Sequence, residues 1–275
     1  MNYFQMRFPD FKRKALTLSY DDDDLHNKKL VEILNRYGLK GTFNLNSGFF
    51  GIAGYLSAEE AVELFKDSPH EVAVHGFRHC SLDRVDSAAA VNDIIEDRKT
   101  LEKLFGRVIK GMAYANGVYD DKVVEMLKQC GISYARTTVS TGNFDMTNDW
   151  LKMPATCHHN APNLMDLAKQ FVEETGQGYF WSRSPKLFYL WGHSFEFARE
   201  DNWQVMEEFA KYIGGREEIW YATNGEIYDY AKAFERLEFS VDGKYVYNPS
   251  AREVFFMTLD GKNVSVKAGE RKEIE

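Results

Sequence analysis

The sequence contains little cysteine, and its three cysteines form no recognisable pattern. Cys80, Cys130 and Cys157 are an odd number, and no two of them have the CxxC spacing. A disulfide framework pairs its cysteines, and a thiolate metal site groups them at short spacings. The sequence therefore argues against a disulfide scaffold and against a cysteine-based metal site.

The chain also lacks a dense basic cluster and a long apolar run. Its 34 Lys and Arg residues against 42 Asp and Glu residues give a net charge of -8, and no group of basic residues is dense enough to follow a phosphate backbone. No run has the length of a membrane span. The first residues, MNYFQMRFPDFKRK, lack the apolar stretch and cleavage site of a secretory signal. We therefore expect no nucleic-acid partner, no membrane partner and a cytoplasmic location.

Short apolar runs of strand length alternate with longer stretches of helical spacing, which predicts βα units around a parallel sheet. A chain of 275 residues can form one α/β barrel. A long connection is predicted over residues 138 to 162. The predicted strands are KALTLSY (14 to 20), GTFNLN (41 to 46), EVAVH (71 to 75), VIKGMAY (108 to 114), ISYART (132 to 137), KLFYLWGH (186 to 193) and EIWYAT (218 to 223).

The pattern changes after about residue 237. LEFSVDGKYVYN and VFFMTLDGKNVSV each place Asp-Gly between two strand-like runs, which is a strong β-hairpin signal. No low-complexity linker precedes them. We therefore predict a catalytic barrel over residues 1 to 236 and a small antiparallel β appendage, packed on the barrel, over residues 237 to 275.

Polar side chains stand at the ends of several predicted strands. The run of four aspartates, 21 to 24, ends the first strand, and His75 and His193 end the third and the sixth. Asn116 follows the fourth strand, and Arg136 lies on the fifth. Because the carboxyl ends of barrel strands share one face, we expect these groups to converge on a site.

His75 and His79 are candidate metal ligands. A four-residue gap across one helical turn places two imidazoles on one side, where both can bind one ion. Asp22 would complete a set of two histidines and one carboxylate with open positions for water and substrate. Taken alone, the spacing of the histidines is equally compatible with two solvent-facing histidines. Four adjacent aspartates, taken alone, are compatible with a solvated acidic turn. A divalent cation would offset the repulsion between the first two aspartates.

These motifs resemble those of the polysaccharide deacetylase family, over nearly all of residues 14 to 235. LTLSYDDDD is similar to the first family motif, VHGFRHCSL to the second and LFYLWGHSFEF to the last, and YDDKVVEMLKQCGISYA matches the stretch after the third. The resemblance implies a distorted (β/α)7 barrel. It also implies a metal-dependent hydrolase that removes N- or O-acetyl groups from a carbohydrate.

The same resemblance implies roles for individual residues. Asp21 would be the general base, a water on the metal the nucleophile and His193 the general acid. Asp22, His75 and His79 would hold one divalent metal ion, and mixed histidine and carboxylate ligands favour Zn²⁺.

Two family motifs are altered in this chain. The third usually contains an arginine, but GMAYANG has Ala113 at that place. Arg136 is our candidate to replace it, the alternative being an ordinary salt-bridged arginine. For the fourth motif, Asp149 before Trp150 is the candidate.

Further polar and aromatic residues near these motifs are candidates for substrate contact or support of the site. His158 and His159 could reach the substrate, hold an extra metal or lie on the surface, and Glu196 could line the cleft or begin a helix. The complete set of supporting candidates is Arg136, Asn116, Asp149, His159, Trp191 and Glu196.

Two alternative functions remain open at this point. Hydrolases of the same superfamily act on non-sugar amides, and a small cytosolic amide would be such a substrate. The missing third-motif arginine also allows a non-catalytic carbohydrate-binding relative. The joint presence of Asp21, Asp22, His75, His79 and His193 favours an enzyme.

Overall fold

The computed structural model describes residues 4–274, which form fifteen strands and eight α-helices. The strands are β1 (Phe4–Arg7), β2 (Lys14–Asp21), β3 (Gly41–Leu45), β4 (Glu71–Val74), β5 (Gly111–Ala113), β6 (Tyr134–Ser140), β7 (Met153–Ala155), β8 (Cys157–His158), β9 (Lys186–His193), β10 (Ile219–Tyr221), β11 (Glu238–Phe239), β12 (Tyr245–Tyr247), β13 (Val254–Thr258), β14 (Asn263–Val266) and β15 (Arg271–Glu273). The helices are α1 (Asn27–Arg36), α2 (Ala58–Phe65), α3 (Ser87–Phe105), α4 (Asp121–Gln129), α5 (Leu164–Glu173), α6 (Ser194–Arg199), α7 (Trp203–Ile213) and α8 (Asn224–Glu235).

The central sheet is parallel and has the strand order β7-β6-β5-β4-β3-β2-β9-β8, with β10 added beside β2. Its ladder of hydrogen bonds is not closed. β7 and β8 are consecutive parts of one segment, which pairs first with β6 and then with β9, so that the covalent chain spans the gap. The predicted α/β barrel is confirmed.

β2 lies at the centre of this sheet, and all eight of its residues are buried. Parallel strands are covered on both faces, which explains the nearly continuous apolar run KALTL. β9 pairs along the whole length of β2, and the register places Asp21 beside His193 on one side and beside Asn44 of β3 on the other. The strand ends therefore bring three polar side chains into one row.

The helices cover the sheet with amphipathic faces. Helix α1 buries Leu30, Val31, Ile33 and Leu34. Helix α2 begins at a capping box, in which Ser57 and Glu60 each satisfy a backbone N–H group of the other. The apolar face thus packs α1 against the core, and the capping box fixes the start of α2.

Part of the chain predicted as a long connection is strand. β6 continues to residue 140, and β7 and β8 lie between residues 153 and 158. β7 has three residues and β8 has two, too few to show the period-two alternation on which strand prediction depends. Residues 138–162 therefore contribute to the barrel itself.

Two small antiparallel sheets follow α8. Both Asp-Gly hairpins are present, as β11 with β12 and as β13 with β14. Strand β1, at the other end of the chain, pairs with β13, from Phe4 opposite Thr258 to Arg7 opposite Phe255. The apolar cluster beneath them includes Leu237 at the end of α8. The N-terminal strand thus joins the C-terminal sheets, and the division of the chain at residue 236 stays a prediction.

Within residues 4–274, none of the helices combines the length and the apolarity needed to cross a lipid bilayer.

We expect the buried His70 to make the protein less stable in mild acid. Its Nδ1 accepts the N–H of Gly41 and its Nε2 faces Asn35 Oδ1, both at 3.1 Å. Burial lowers the pKa of His70 to about 4, below the usual value of about 6.5, so stability is lost as the pH falls from the upper value through the lower one. The loss from pH 7 to 4.5 should be about 2–3 kcal/mol.

The measurement is the free energy of unfolding in urea at both pH values. His70→Gln keeps an amide donor and acceptor but does not titrate, so its stability should depend less on pH over this interval. An equal pH dependence in both proteins would show that His70 does not cause it.

Candidate active site

Asp21 is the centre of the polar row at the strand ends. Its side chain is buried, and Asn44 Nδ2 donates a hydrogen bond of 2.9 Å to its Oδ1. His193 Nε2 lies 3.9 Å from its Oδ2. Asn44 was missed in the sequence, although a polar residue within the buried run GTFNL is a signal for such a role. Asn44 fixes one oxygen of Asp21 and leaves the other beside the histidines.

Arg136 contacts that other oxygen. Its guanidinium donates to Asp21 Oδ2, its Nε donates to Ser19 Oγ at 3.2 Å, and its Cζ lies 4.4 Å from the ring centre of Trp191. Burial raises the pKa of Asp21, but the charge of Arg136, together with nearby histidines, lowers it more, to about 2. Ala113 is the register partner of Arg136 on the neighbouring strand. The guanidinium therefore reaches Asp21 from the strand next to the one that carries the altered motif.

Asp22, His75 and His79 form a compact group of possible metal ligands. Asp22 Oδ1 lies 3.8 Å from His75 Nε2 and 3.9 Å from His79 Nε2. The expected helical turn is absent, because the backbone from residue 75 to residue 79 is not helical. His79 instead has a φ of 55°. The two imidazoles meet through a turn in which His79 N–H donates to Gly76 O.

The tautomer of His75 fits a metal ion. Its Nδ1 donates to the carbonyl oxygen of Ala113 at 2.9 Å, which leaves the lone pair on Nε2 in the neutral ring. This Nε2 is buried and has no hydrogen-bond partner among the described residues. A buried imidazole lone pair beside a carboxylate is the arrangement that a divalent cation satisfies.

The four adjacent aspartates have four different surroundings. Asp21 contacts Arg136, and Asp22, with a φ of 67°, turns towards the two histidines. Asp23 is buried, which raises its pKa to about 7. Asp24 accepts the backbone N–H of His26 at the start of α1. A solvated acidic turn therefore does not describe this run.

A second group of histidines surrounds Glu196. His158 Nε2 and His159 Nε2 each lie 3.1 Å from Glu196 Oε2, and His193 Nδ1 lies 3.5 Å from it. Burial raises the pKa of Glu196, but the three imidazoles lower it more, well below its usual range. Burial lowers the pKa of His193, but Glu196 and Asp21 raise it above its ordinary value. The carboxylate therefore favours the protonated form of His193.

The tautomer of His158 argues against a metal ion in this second group. The backbone N–H of Asn160 donates to His158 Nδ1 at 3.1 Å. The neutral ring then carries its proton on Nε2, the atom that faces Glu196, whereas a metal ligand needs a lone pair there. We interpret His158 as a donor to the carboxylate.

The other predicted residues lie at varying distances from this centre. His159 is buried, with its ring stacked on Phe197. Trp191 lies under Arg136 and is 9% exposed. Asn116 donates to Ser81 Oγ at the surface, and Asp149 accepts Leu151 N–H at the start of a short 3-10 helix. In the described part of the chain, the side-chain hydrogen bonds of Asn116 and Asp149 are thus to Ser81 and Leu151, and their roles in the site stay predictions.

The sequence matches one protein family. The family model described as polysaccharide deacetylase matches residues 9–135. This range contains the acidic run and both histidines of the Asp22 group, and it ends one residue before Arg136. None of the proteins with curated annotation matches the chain significantly.

Several solved structures are similar to this chain. A protein from Mycobacterium smegmatis, assigned as a polysaccharide deacetylase, is 16% identical; the match covers 86% of this chain and 96% of that one, with a TM-score of 0.63. A mutant, with restored enzymatic activity, of a CE4 family pseudoenzyme from Bacillus anthracis is 14% identical over 82% of this chain and 70% of that one, with a TM-score of 0.50. A deacetylase from Streptococcus pyogenes, in complex with acetate, is 20% identical over 50% of this chain, with a TM-score of 0.46. This chain covers 61% of the length of that protein.

Proposed function

Since this chain belongs to the polysaccharide deacetylase family, we propose that it is a metal-dependent hydrolase that removes N- or O-acetyl groups from a carbohydrate. The observation that carries the proposal is the convergence of three chemically distinct groups at one edge of the barrel. Asp21 Oδ2 lies 3.8 Å from His75 Nε2 and 3.9 Å from His193 Nε2. A buried carboxylate, a histidine with a raised pKa and a set of metal ligands are therefore within reach of one small acyl group.

Asp22, His75 and His79 would hold the metal, and their mixed ligand types favour zinc. When bound, such an ion lowers the pKa of a coordinated water and polarises the acyl oxygen. The chain contributes the positions of the ligands: the Ala113 carbonyl fixes the His75 tautomer, and the turn at Gly76 brings His79 beside it.

Asp21 and His193 would move the protons. The pKa of Asp21, about 2, keeps it ionised at neutral pH, so that it is available to accept the proton of the attacking water. His193, whose pKa is raised by Glu196 and Asp21, would deliver a proton from Nε2 to the leaving amine or alcohol. Its Nδ1 faces Glu196, which orients Nε2 towards Asp21.

We expect Arg136→Met to lower turnover and to shift the acid limb of the pH-rate profile to higher pH. The guanidinium holds Asp21 in one orientation and keeps its pKa low, so a neutral side chain of similar length removes both effects. The loss should be on the order of 10- to 100-fold in kcat. Arg98→Met, which removes a partly buried arginine on α3 that donates to Glu102, is the control. Unchanged turnover and an unchanged acid limb in Arg136→Met would exclude the role.

The direct test of the function is acetate release by the purified, metal-loaded protein. Acetylated mono- and oligosaccharides are offered beside small non-sugar acetamides. Acetate released from the sugars supports the proposal, and release from the non-sugar amides alone would assign the second substrate class instead. The fold shared with the pseudoenzyme allows a third outcome. Glycan binding without cleavage of any acetylated compound would show a carbohydrate-binding protein.

A further inference from the structure

We propose that Asp97 of helix α3 holds the segment His75–His79 in its metal-binding shape before any metal binds. The inference rests on the proposed metal site, and it adds a positioning residue far from the site in sequence. The hydrogen bonds that Asp97 accepts from this segment come from backbone N–H groups. Asp97 therefore acts on the backbone that carries the two histidines.

Asp97 is fully buried and accepts four hydrogen bonds. Its Oδ1 accepts Ser47 N–H at 2.8 Å and Ser47 Oγ–H at 2.6 Å. Its Oδ2 accepts Gly76 N–H at 2.9 Å and shares His75 N–H, at 3.1 Å, with the backbone oxygen of Leu45, at 3.0 Å. Burying a carboxylate is costly unless its oxygens are satisfied. Here both oxygens are satisfied, and the donors come from two different strand ends.

The next turn of α3 completes the attachment of the segment. Phe77 N–H donates to the backbone oxygen of Asp93 at 3.1 Å, and Arg78 N–H donates to Asp93 Oδ1 at 2.8 Å. Together with the two donors to Asp97 and the turn bond of His79, every backbone N–H from residue 75 to residue 79 has a partner. Most of these partners belong to α3.

The opposite side of the segment is held by the loop after β3. Asn46 Nδ2 donates to His75 O at 2.9 Å and to Gly76 O at 2.7 Å, and Gly48 N–H donates to Phe77 O at 3.1 Å. Ser47, between these two residues, is bound to Asp97. The carboxylate of Asp97 therefore links the loop after β3 to the segment that carries the two histidines.

This support is needed because the segment has an unfavourable backbone conformation. His79 has a φ of 55°, in the left-handed region that costs a residue with a side chain about 1–2 kcal/mol. Gly76 has a φ of 89°, and a Cβ atom there would lie 2.5 Å from Asp93 Oδ2. Such conformations persist where surrounding contacts over-determine them. The contacts to α3 supply that constraint.

The test compares Asp97→Asn with Asp93→Asn. Both oxygens of Asp97 accept hydrogen bonds. An asparagine at position 97 replaces one of these oxygens with an NH2 group. In either orientation of its side-chain amide, that NH2 group would therefore face N–H or O–H donors. Asparagine at 93 keeps an oxygen for Arg78 N–H and places its NH2 at Oδ2, which has no partner in the described part of the chain. We expect about 10- to 100-fold weaker zinc binding for Asp97→Asn and a change of less than about threefold for Asp93→Asn.

Zinc dissociation constants are measured by competition with a chelator, on variants whose folding is checked by circular dichroism. Equal zinc affinity of wild type and Asp97→Asn would overturn the inference while leaving the proposed function intact. A wild type that binds no zinc or other divalent metal would overturn both.

A second measurement needs no variant, should Asp97→Asn not fold. In metal-free wild type, the amide hydrogens of Gly76 and Arg78 should exchange with solvent about 100-fold or more slowly than in an unstructured peptide, since α3 holds them without the metal. Exchange at the unprotected rate would show that the metal, not α3, orders the segment.

Discussion

His193→Ala and Asp21→Asn are expected to keep their metal and to lose turnover by about 100- to 10,000-fold. Both residues face the same small volume, 3.9 Å apart, but neither belongs to the group formed by Asp22, His75 and His79. Loss of a proton donor or acceptor therefore removes an interaction made in the transition state and leaves the metal ligands in place. The measurements are metal content by elemental analysis and kcat for acetate release on a substrate that the wild type cleaves.

A control variant shows whether removal of a histidine outside the site changes kcat. His26→Ala removes a half-exposed histidine at the start of α1 that contacts Asp24, and it should leave kcat unchanged. If His193→Ala and Asp21→Asn retain both metal and full activity, the assignment of the acid and the base is wrong.

Asp22→Ala should behave in the opposite way, because the ion itself is lost. Two neutral histidines without the carboxylate make a poor site for a divalent cation, so we expect metal affinity to fall by at least about 100-fold and activity to fall with it. Excess metal should restore part of the activity, which no amount of metal should do for His193→Ala.

The matched control is Asp24→Ala, in the same acidic run. Asp24 contacts His26 and lies outside the Asp22 group. Asp24→Ala removes the same charge as Asp22→Ala. The comparison therefore separates the loss of a metal ligand from a change in local electrostatics. Equal metal affinities of Asp22→Ala and Asp24→Ala would show that Asp22 is not a ligand.

The barrel could be predicted because most of its strands lie within apolar runs that alternate with stretches of helical spacing. β9 was predicted with the bounds observed, and β2 to within one residue. The two- and three-residue strands β7 and β8 carry no period that a sequence can show, and β1 depends on pairing with β13 about 250 residues away along the chain. Such pairing depends on contacts between distant parts of the chain and not on the local sequence pattern.

The site could be predicted only where its residues follow strand ends. Asp21 and His193 were identified in this way, and the register brings them together. His75 and His79 were identified through a helical turn that the segment does not form. Asn44 was missed, and the placement of Asp149 depended on a dipeptide motif, whereas its carboxylate begins a short helix. Side-chain direction in loops depends on contacts such as those of Asp97, which no spacing reveals.

The exchange between Ala113 and Arg136 has a consequence for how this family is searched. The two residues are register partners on β5 and β6, and the guanidinium of Arg136 reaches Asp21 from β6. The proposed mechanism needs a positive charge beside Asp21, and of the two neighbouring chain positions, 113 and 136, we propose that 136 supplies it. A motif written as a string of letters records only one of them. A chain that does not match such a motif is therefore not necessarily inactive. The register partner of the missing arginine on the neighbouring strand has to be inspected before the site is judged incomplete.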